Sequence, residues 1–235
     1  VKLYAVIPTH NRPEELAALL DSIPPDVHVL VIDNASEPKT QFSLPIRLLG
    51  RRIQVMREEE QPPNLSRLWN LGLDWAENLE TYCADVLPEY AGDYAVAILN
   101  DDVVLPKGFL WTMAAELINH QVDISFPGSV GQRCHVNREK TRAPGLGLRM
   151  TGWCFMVRGG SGLRADERLR WWCGDDDLER SAAVHGRGTV RFELTPATAA
   201  GLVHRYPDQS TTGVLAEQTH KDMATFVAKW GQRPW

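Results

Sequence analysis

Three short apolar runs, "LYAVIP" from Leu3, "VHVLVI" from Val27 and "YAVAIL" from Tyr94, each stop abruptly in a polar cluster: "THNRPEE", "DNAS" and "NDD". A strand that is apolar at every position, rather than at every second one, is covered on both faces. That is the condition of a parallel sheet with helices on either side. The polar residues then emerge at C-terminal strand ends, where open α/β sheets bind ligands.

Helical periodicity fills the gaps between these runs. "PEELAALLDSI" opens on Pro13, has Glu14 in its first turn and places Leu16, Leu19, Leu20 and Ile23 on one face. "NLSRLWNLGLDWAENLETYC" carries Leu65, Leu68, Trp69, Trp75 and Leu79 on one stripe with Gly72 as an interruption, and "LWTMAAELINH" reads as a further helix. "RIQVMR" supplies a weaker strand. Strands alternating with helices predict an α/β chain with a doubly wound, Rossmann-like, mainly parallel sheet. From about Asp123 the style changes. "DISFPGS", "RCHVN" and "GLRMTGWCFMVRGG" predict shorter strands in a smaller mixed or antiparallel portion. "DDDLERSAAVHG" then reads as a helix, "GTVRFEL" as a strand and "HKDMATFVAKWG" as a last helix. At 235 residues, one domain over 1–235 is expected.

A net charge of −5 with thinly spread Lys and Arg argues against a grip on a nucleic acid backbone, which demands a basic stripe. A small anionic ligand is still compatible, because a metal ion can supply the positive charge. No apolar run is long enough to span a bilayer and the first residues lack the pattern of a signal peptide, so a cytoplasmic location is expected. The four cysteines, Cys83, Cys134, Cys154 and Cys173, form no C-x-x-C pair. They are expected to be reduced and mostly packing residues, without a zinc motif.

Adjacent carboxylates repel, so Asp101 and Asp102 at a strand end need a cation or a hydrogen-bond network. Mg²⁺ or Mn²⁺ suits such oxygen ligands; a solvated turn capping the next element suits them equally. A second acidic cluster, Asp175 to Asp177, can cap a helix, but capping needs only one of the three. Crowding of the others favours a carboxylate that can serve as a general base. Of Trp171 and Trp172, one is expected in the core and one as a platform for a ligand ring. His204 follows a short apolar run in a loop-like context and is a metal candidate, whereas His120 and His185 lie near helix ends, where capping is the simpler role.

In order, "YAVIPTHNRPEELAALLDSI", "VIDNAS", "NLSRLWNLG", "VAILNDDVVL" and "GDDDL" resemble the family 2 inverting glycosyltransferases of the GT-A, nucleotide-diphospho-sugar transferase fold. The resemblance runs from Lys2 to His204 and is dense to about Phe109. It implies a donor half at 1–109, an acceptor and catalytic half at 110–214, and a C-terminal helix at 215–235 that could order over the donor as a lid; "RGGSG" could do the same, although a plain surface loop is the simpler reading of that stretch. It implies that Thr9, His10 and Arg12 line the nucleotide pocket, that Asp33 accepts a hydrogen bond from the base, and that Asn64, Arg67 and Asn70 approach nucleotide and donor sugar. Asn100 and Asp102 fall on the outer positions of the family's D-x-D motif. Asp102 would be the main metal ligand, with His204 completing the site and Asp101 facing donor sugar or ribose. Asp175 would be the base, with Asp176 in reserve, and Trp153, Trp171 and Trp172 would bind the acceptor.

The implied activity is transfer of a sugar from a nucleotide sugar, UDP-linked by preference, to an acceptor hydroxyl in one inverting displacement, with Mn²⁺ or Mg²⁺. The acceptor could be a glycan, a lipid-linked sugar, a protein side chain or a modified base. Two departures from the family pattern stand out: Asn100 replaces the first aspartate, and Gly174 stands where glutamate is usual. They are the best support for a non-catalytic carbohydrate-binding or scaffold protein on the same fold. A nucleotidyltransferase making a sugar nucleotide would normally carry a Gly-rich basic loop after the first strand, and "PTHNRPEE" has no glycine.

Overall fold

The computed structural model describes residues 1–40, 52–86, 92–138, 150, 152–205 and 213–234. Strand β1 (Lys2–Thr9) leads to helix α1 (Pro13–Ser22) and strand β2 (His28–Asn34). Strand β3 (Ile53–Glu58) precedes the long helix α2 (Leu65–Val86), and β4 (Tyr94–Leu99) and the two-residue β5 (Val103–Val104) precede α3 (Phe109–His120). The second half runs β6 (Ile124–Val130), β7 (His135–Asn137), β8 (Cys154–Arg158), α4 (Gly174–His185) and β9 (Thr189–Leu194). It ends with α5 (Pro196–Gly201), β10 (Val203–His204) and α6 (Val214–Trp230).

Eight strands form one sheet in the order β3-β2-β1-β4-β8-β6-β9-β7, and β5 pairs with β10 in a small second sheet. β3, β2, β1 and β4 are parallel neighbours, as the apolar runs predict, and β6 is parallel to β9. The antiparallel portion is not a separate layer. β8 runs antiparallel between β4 and β6, and β7 closes the far edge antiparallel to β9. β5, β10 and α5 were not expected from the sequence, being too short to carry a period.

Alternation along β1 divides the core in two. Leu3, Ala5 and Ile7 pack with α1 and α3 through Leu16, Leu20 and Met113, whereas Tyr4 and Val6 pack with α2 and α4 through Leu68, Leu73 and Leu178. Gly72 is more than an interruption of α2. A methyl group there would stand 2.3 Å from Val6 Cγ1, so only glycine lets α2 lie this close to β1.

α6 is held by two buried aspartates. Its own Asp222 accepts the Trp171 and Trp172 backbone N–H groups (2.7 and 2.8 Å), and Asp177 of α4 accepts Trp230 Nε1–H (2.8 Å) and lies 2.7 Å from Lys229 Nζ. Phe226 is buried against Leu169 and Cys173, with Trp172 and Met223 beside them. All four cysteines are free. Cys154 and Cys173 pack as expected and Cys83 is half-buried, but Cys134 is exposed, because it lies in the turn leading into the edge strand β7. Among the described residues, no helix is long and apolar enough to cross a membrane.

Candidate active site

The C-terminal ends of β1, β2 and β4 lie side by side, because parallel pairing sets Thr9 opposite Asp33 and Val6 opposite Ile98. Above them opens a cavity of about 700 Å³. Thr9, His10, Arg12, Asn100 and Asp101 line its polar side; Pro62, Pro63, Leu65, Trp171, Val214 and Leu215 give it an apolar wall.

The polar side is a network. Thr9 Oγ1 donates to Asp101 Oδ2 (2.8 Å), and Arg12 donates from one nitrogen to Asp101 Oδ1 (3.2 Å) and Asp102 Oδ2 (3.3 Å). Asp102 is 1% exposed, and its other oxygen lies 3.5 Å from His204 Nε2. His204 reaches this point because β10 pairs with β5, setting it opposite Val103 immediately after the acidic pair. Trp153 stacks on the imidazole, with ring centroids 5.1 Å apart and planes 15° apart, and accepts the Asn100 N–H on its backbone oxygen (2.9 Å).

Burial pushes the Asp101 carboxyl above its ordinary value. Hydrogen bonds from Thr9 and Arg12 and the charge of Arg12 pull it back, while the neighbouring Asp102 adds to the rise. One guanidinium thus bridges two buried carboxylates.

The second acidic cluster opens α4, and its three members differ. Asp176 and Asp177 are fully buried, and Asp177 is engaged with α6; Asp175 alone of the three keeps accessible surface. Its Oδ1 accepts the Asp176 N–H (3.0 Å), and a methyl group at Gly152, next to Trp153, would stand 3.4 Å from its Oδ2. Asp175 therefore lies one residue from the backbone that carries the Trp153–His204 stack. Gly174 is explained by packing: a methyl group there would stand 2.6 Å from Ser66 Oγ and 3.0 Å from the Trp69 ring. The absent glutamate reflects the close approach of the α2 and α4 N-termini.

Several residues expected at the nucleotide are instead engaged within the chain. Asp33, 1% exposed, accepts Ser36 N–H (3.0 Å) and Thr40 N–H (3.2 Å) and pairs with Arg57 (2.9 Å). Burial raises its pKa, but these hydrogen bonds outweigh it and hold the carboxyl below its ordinary value. Asn64 caps α2 by accepting Arg67 N–H (3.1 Å) and donates to Glu167 O (3.0 Å). Asn70 exchanges hydrogen bonds with Ala165, and Arg67 lies among Glu58, Glu60 and Glu167. None of these four side chains lines the cavity.

The tryptophan pair divides, Trp171 lining the cavity and Trp172 packing beneath α6. For "RGGSG" the topology favours the plain surface loop over the lid. β8 runs antiparallel to β4, with Arg158 opposite Ala95, so the loop emerges at the N-terminal end of β4, the opposite end of the sheet from the cavity. The sequence reading also missed cavity residues. Asn34 lines the cavity where Asp33 does not, and strand alternation, which sends neighbours to opposite faces, was the available signal. Gln61, from an irregular stretch, gave none.

Comparison with known proteins agrees with this architecture. Residues 4–153 match the family described as "Glycosyl transferase family 2". No curated protein matches the chain. Among solved structures, TarS 1-349 of S. aureus in complex with UDP-GlcNAc superposes with a TM-score of 0.57 at 14% identity, over 97% of this chain and 67% of that one. Another structure of S. aureus TarS 1-349 gives 0.51 at 16% identity, over 77% of this chain and 55% of that one. A longer S. aureus TarS structure gives 0.51 at 16%, over 83% and 36%. The chain thus spans about half the length of the first solved relatives it matches. At these identities the likeness shows the fold, a mainly parallel α/β sheet of GT-A type. The family match covers more than half of the chain, and the chain therefore belongs to glycosyl transferase family 2.

Proposed function

We propose that this chain transfers a sugar from a nucleoside-diphosphate sugar, UDP-linked by preference, to an acceptor hydroxyl in a single inverting displacement that depends on a divalent metal. The observation that carries this reading is the pair of carboxylates at the β4 tip. Asp101 lines a nucleotide-sized cavity and Asp102 is buried directly behind it, with the Arg12 guanidinium shared between them and the His204 imidazole beside Asp102. S. aureus TarS, which shares the fold, is known in complex with UDP-GlcNAc.

The donor set fits a metal: a buried carboxylate oxygen of Asp102 beside the imidazole nitrogen of His204 suits Mn²⁺ or Mg²⁺. When bound, such an ion stabilises negative charge on the leaving diphosphate. Thr9 and Arg12 fix Asp101, which faces the donor. Arg12, 31% exposed in its side chain, can turn from the carboxylates towards the negative charge of a diphosphate. Trp171 offers an aromatic face and Leu215 an apolar rim, while Asn34 and His10 supply polar edges for a base.

Asp175 serves as the base, taking the acceptor proton as the oxygen attacks the anomeric carbon. Its partial exposure supports it over Asp176, which is fully buried. Residues 1–109 form the donor half and 110–214 the acceptor half. The helix expected at 215–235 acts as a fixed wall, because Asp222 and Asp177 pin its body while Val214 and Leu215 reach the cavity.

The test is nucleotide release from a panel of UDP- and other nucleotide-linked sugars, with and without Mn²⁺. Release from at least one donor, lost on chelation, is expected. Nucleotide binding without turnover of any donor would instead establish a non-catalytic protein.

A further inference from the structure

We propose a second metal site, for Zn²⁺, formed by Glu116, His120 and Cys134 at the far edge of the sheet. Glu116 and His120 are four residues apart on the last turns of α3, so their side chains share a face. Cys134 comes to them from the turn before β7, the edge strand. His120 Nε2 lies 3.2 Å from Glu116 Oε2 and 3.6 Å from Cys134 Sγ, and the three donor atoms all lie within 4.8 Å of one another.

The two distances from His120 match the edges of a zinc shell. With Zn–N and Zn–O near 2.0–2.1 Å and Zn–S near 2.3 Å, a tetrahedron has N···O edges of about 3.3 Å and N···S edges of about 3.5 Å. A thiolate, an imidazole and a carboxylate also form a borderline-soft set that selects Zn²⁺ over Mg²⁺. Three protein ligands leave the fourth position to water. β7 lies four strands from β4, roughly 19 Å at ordinary strand spacing, so this site is separate from Asp102 and His204. No spacing motif announces it, because its ligands come from a helix and a distant turn.

Binding would replace the Cys134 S–H bond by a Zn–S bond and release that proton to solvent. The ion would tie the C-terminus of α3 to the edge strand, and its effect would be thermal stabilisation rather than catalysis.

Co²⁺ is the probe, because a thiolate ligand gives it a near-ultraviolet charge-transfer band that a site of Asp102 and His204 cannot give. The intact chain titrated with Co²⁺ should show the band, Zn²⁺ should abolish it, and Zn²⁺ should shield Cys134 from alkylation while Cys83 keeps its rate. Cys134→Ser should remove the band, and His120→Ala should weaken Zn²⁺ binding at least about tenfold, since even outer-shell partners are worth roughly 10–100-fold. Glu116→Gln, at a half-buried surface position, should weaken it with the fold intact. Absence of the band, its survival in Cys134→Ser, or unchanged affinity in His120→Ala would overturn the site.

Discussion

The tip of β4 and the first turn of α4 each present acidic residues in sequence, Asn100-Asp101-Asp102 and Asp175-Asp176-Asp177, yet the fold uses them in opposite ways. At β4 the chain turns back after the strand, so that Asp101 lines the cavity and Asp102 lies buried behind it; the two share Arg12, and Asp102 meets His204. At α4 the helix fans its residues about 100° apart, so Asp175, Asp176 and Asp177 face three directions. One stays partly accessible, one is enclosed, and one holds the C-terminal helix. Like composition therefore yields a charged site in one place and mostly architecture in the other. The backbone shape at each point decides which.

The sharpest way to break this comparison is to neutralise one aspartate at a time. Asp175→Asn should lower sugar transfer by about 10²–10⁴-fold, the usual contribution of a general base, while calorimetry shows nucleotide-sugar binding retained. Transfer at the normal rate would remove Asp175 from the chemistry. Asp177→Ala should act on stability instead. It leaves Trp230 Nε1–H without its buried acceptor and Lys229 with Asp166 as its remaining carboxylate, a loss of about 1–3 kcal/mol that a urea midpoint would register. In the same assay Asp175→Asn should move the midpoint little, by about 0.5 kcal/mol or less.

Further effects sharpen the contrast. Gly174→Ala should cost about 1–3 kcal/mol through the clash with Ser66 Oγ, and a neutral result would mean that the two helix ends are less tightly opposed. The last distinction is in pH. Asp101 is shifted up chiefly by burial, so its protonated form favours the fold, and this contribution is lost as pH rises through its raised folded pKa. Asp166, which shares Lys229 with Asp177, is shifted well down, first by its hydrogen bond from Arg168. Its contribution is present above the ordinary value of 3.8 and is lost only as pH falls through the lowered one. Carboxyl-carbon NMR should therefore show Asp101 taking up its proton first on acidification and Asp166 after it.

The sheet was legible because apolar runs and their polar ends follow from burial alone. Val6, Ile32 and Ile98 must be covered, and the residues after them must leave the core. What the chain does with its polar residues was harder to read. Asn64 and Asn70 carry the same amides whether they hold a ligand or the 165–167 backbone, and only tertiary contact separates the two. Asp33 and Asn34 differ by one step in a strand, which sets which of them meets the cavity. His204 rested on resemblance because its route to Asp102 is a two-residue strand pairing across about a hundred residues of sequence. Gly174 looked like a lost function until the Ser66 hydroxyl showed what occupies the space.

The contact between Ser66 and Gly174 also bears on how relatives of this chain can vary. Because one position can gain bulk only if the other gives it up, the two should change together, and a relative carrying glutamate at the second should carry glycine or alanine at the first. A double-mutant cycle would measure that dependence directly, since Gly174→Ala should cost less in a Ser66→Ala background, where the hydroxyl it meets is absent and the Trp69 ring is the close contact that remains. Two positions more than a hundred residues apart would then behave as one inherited unit.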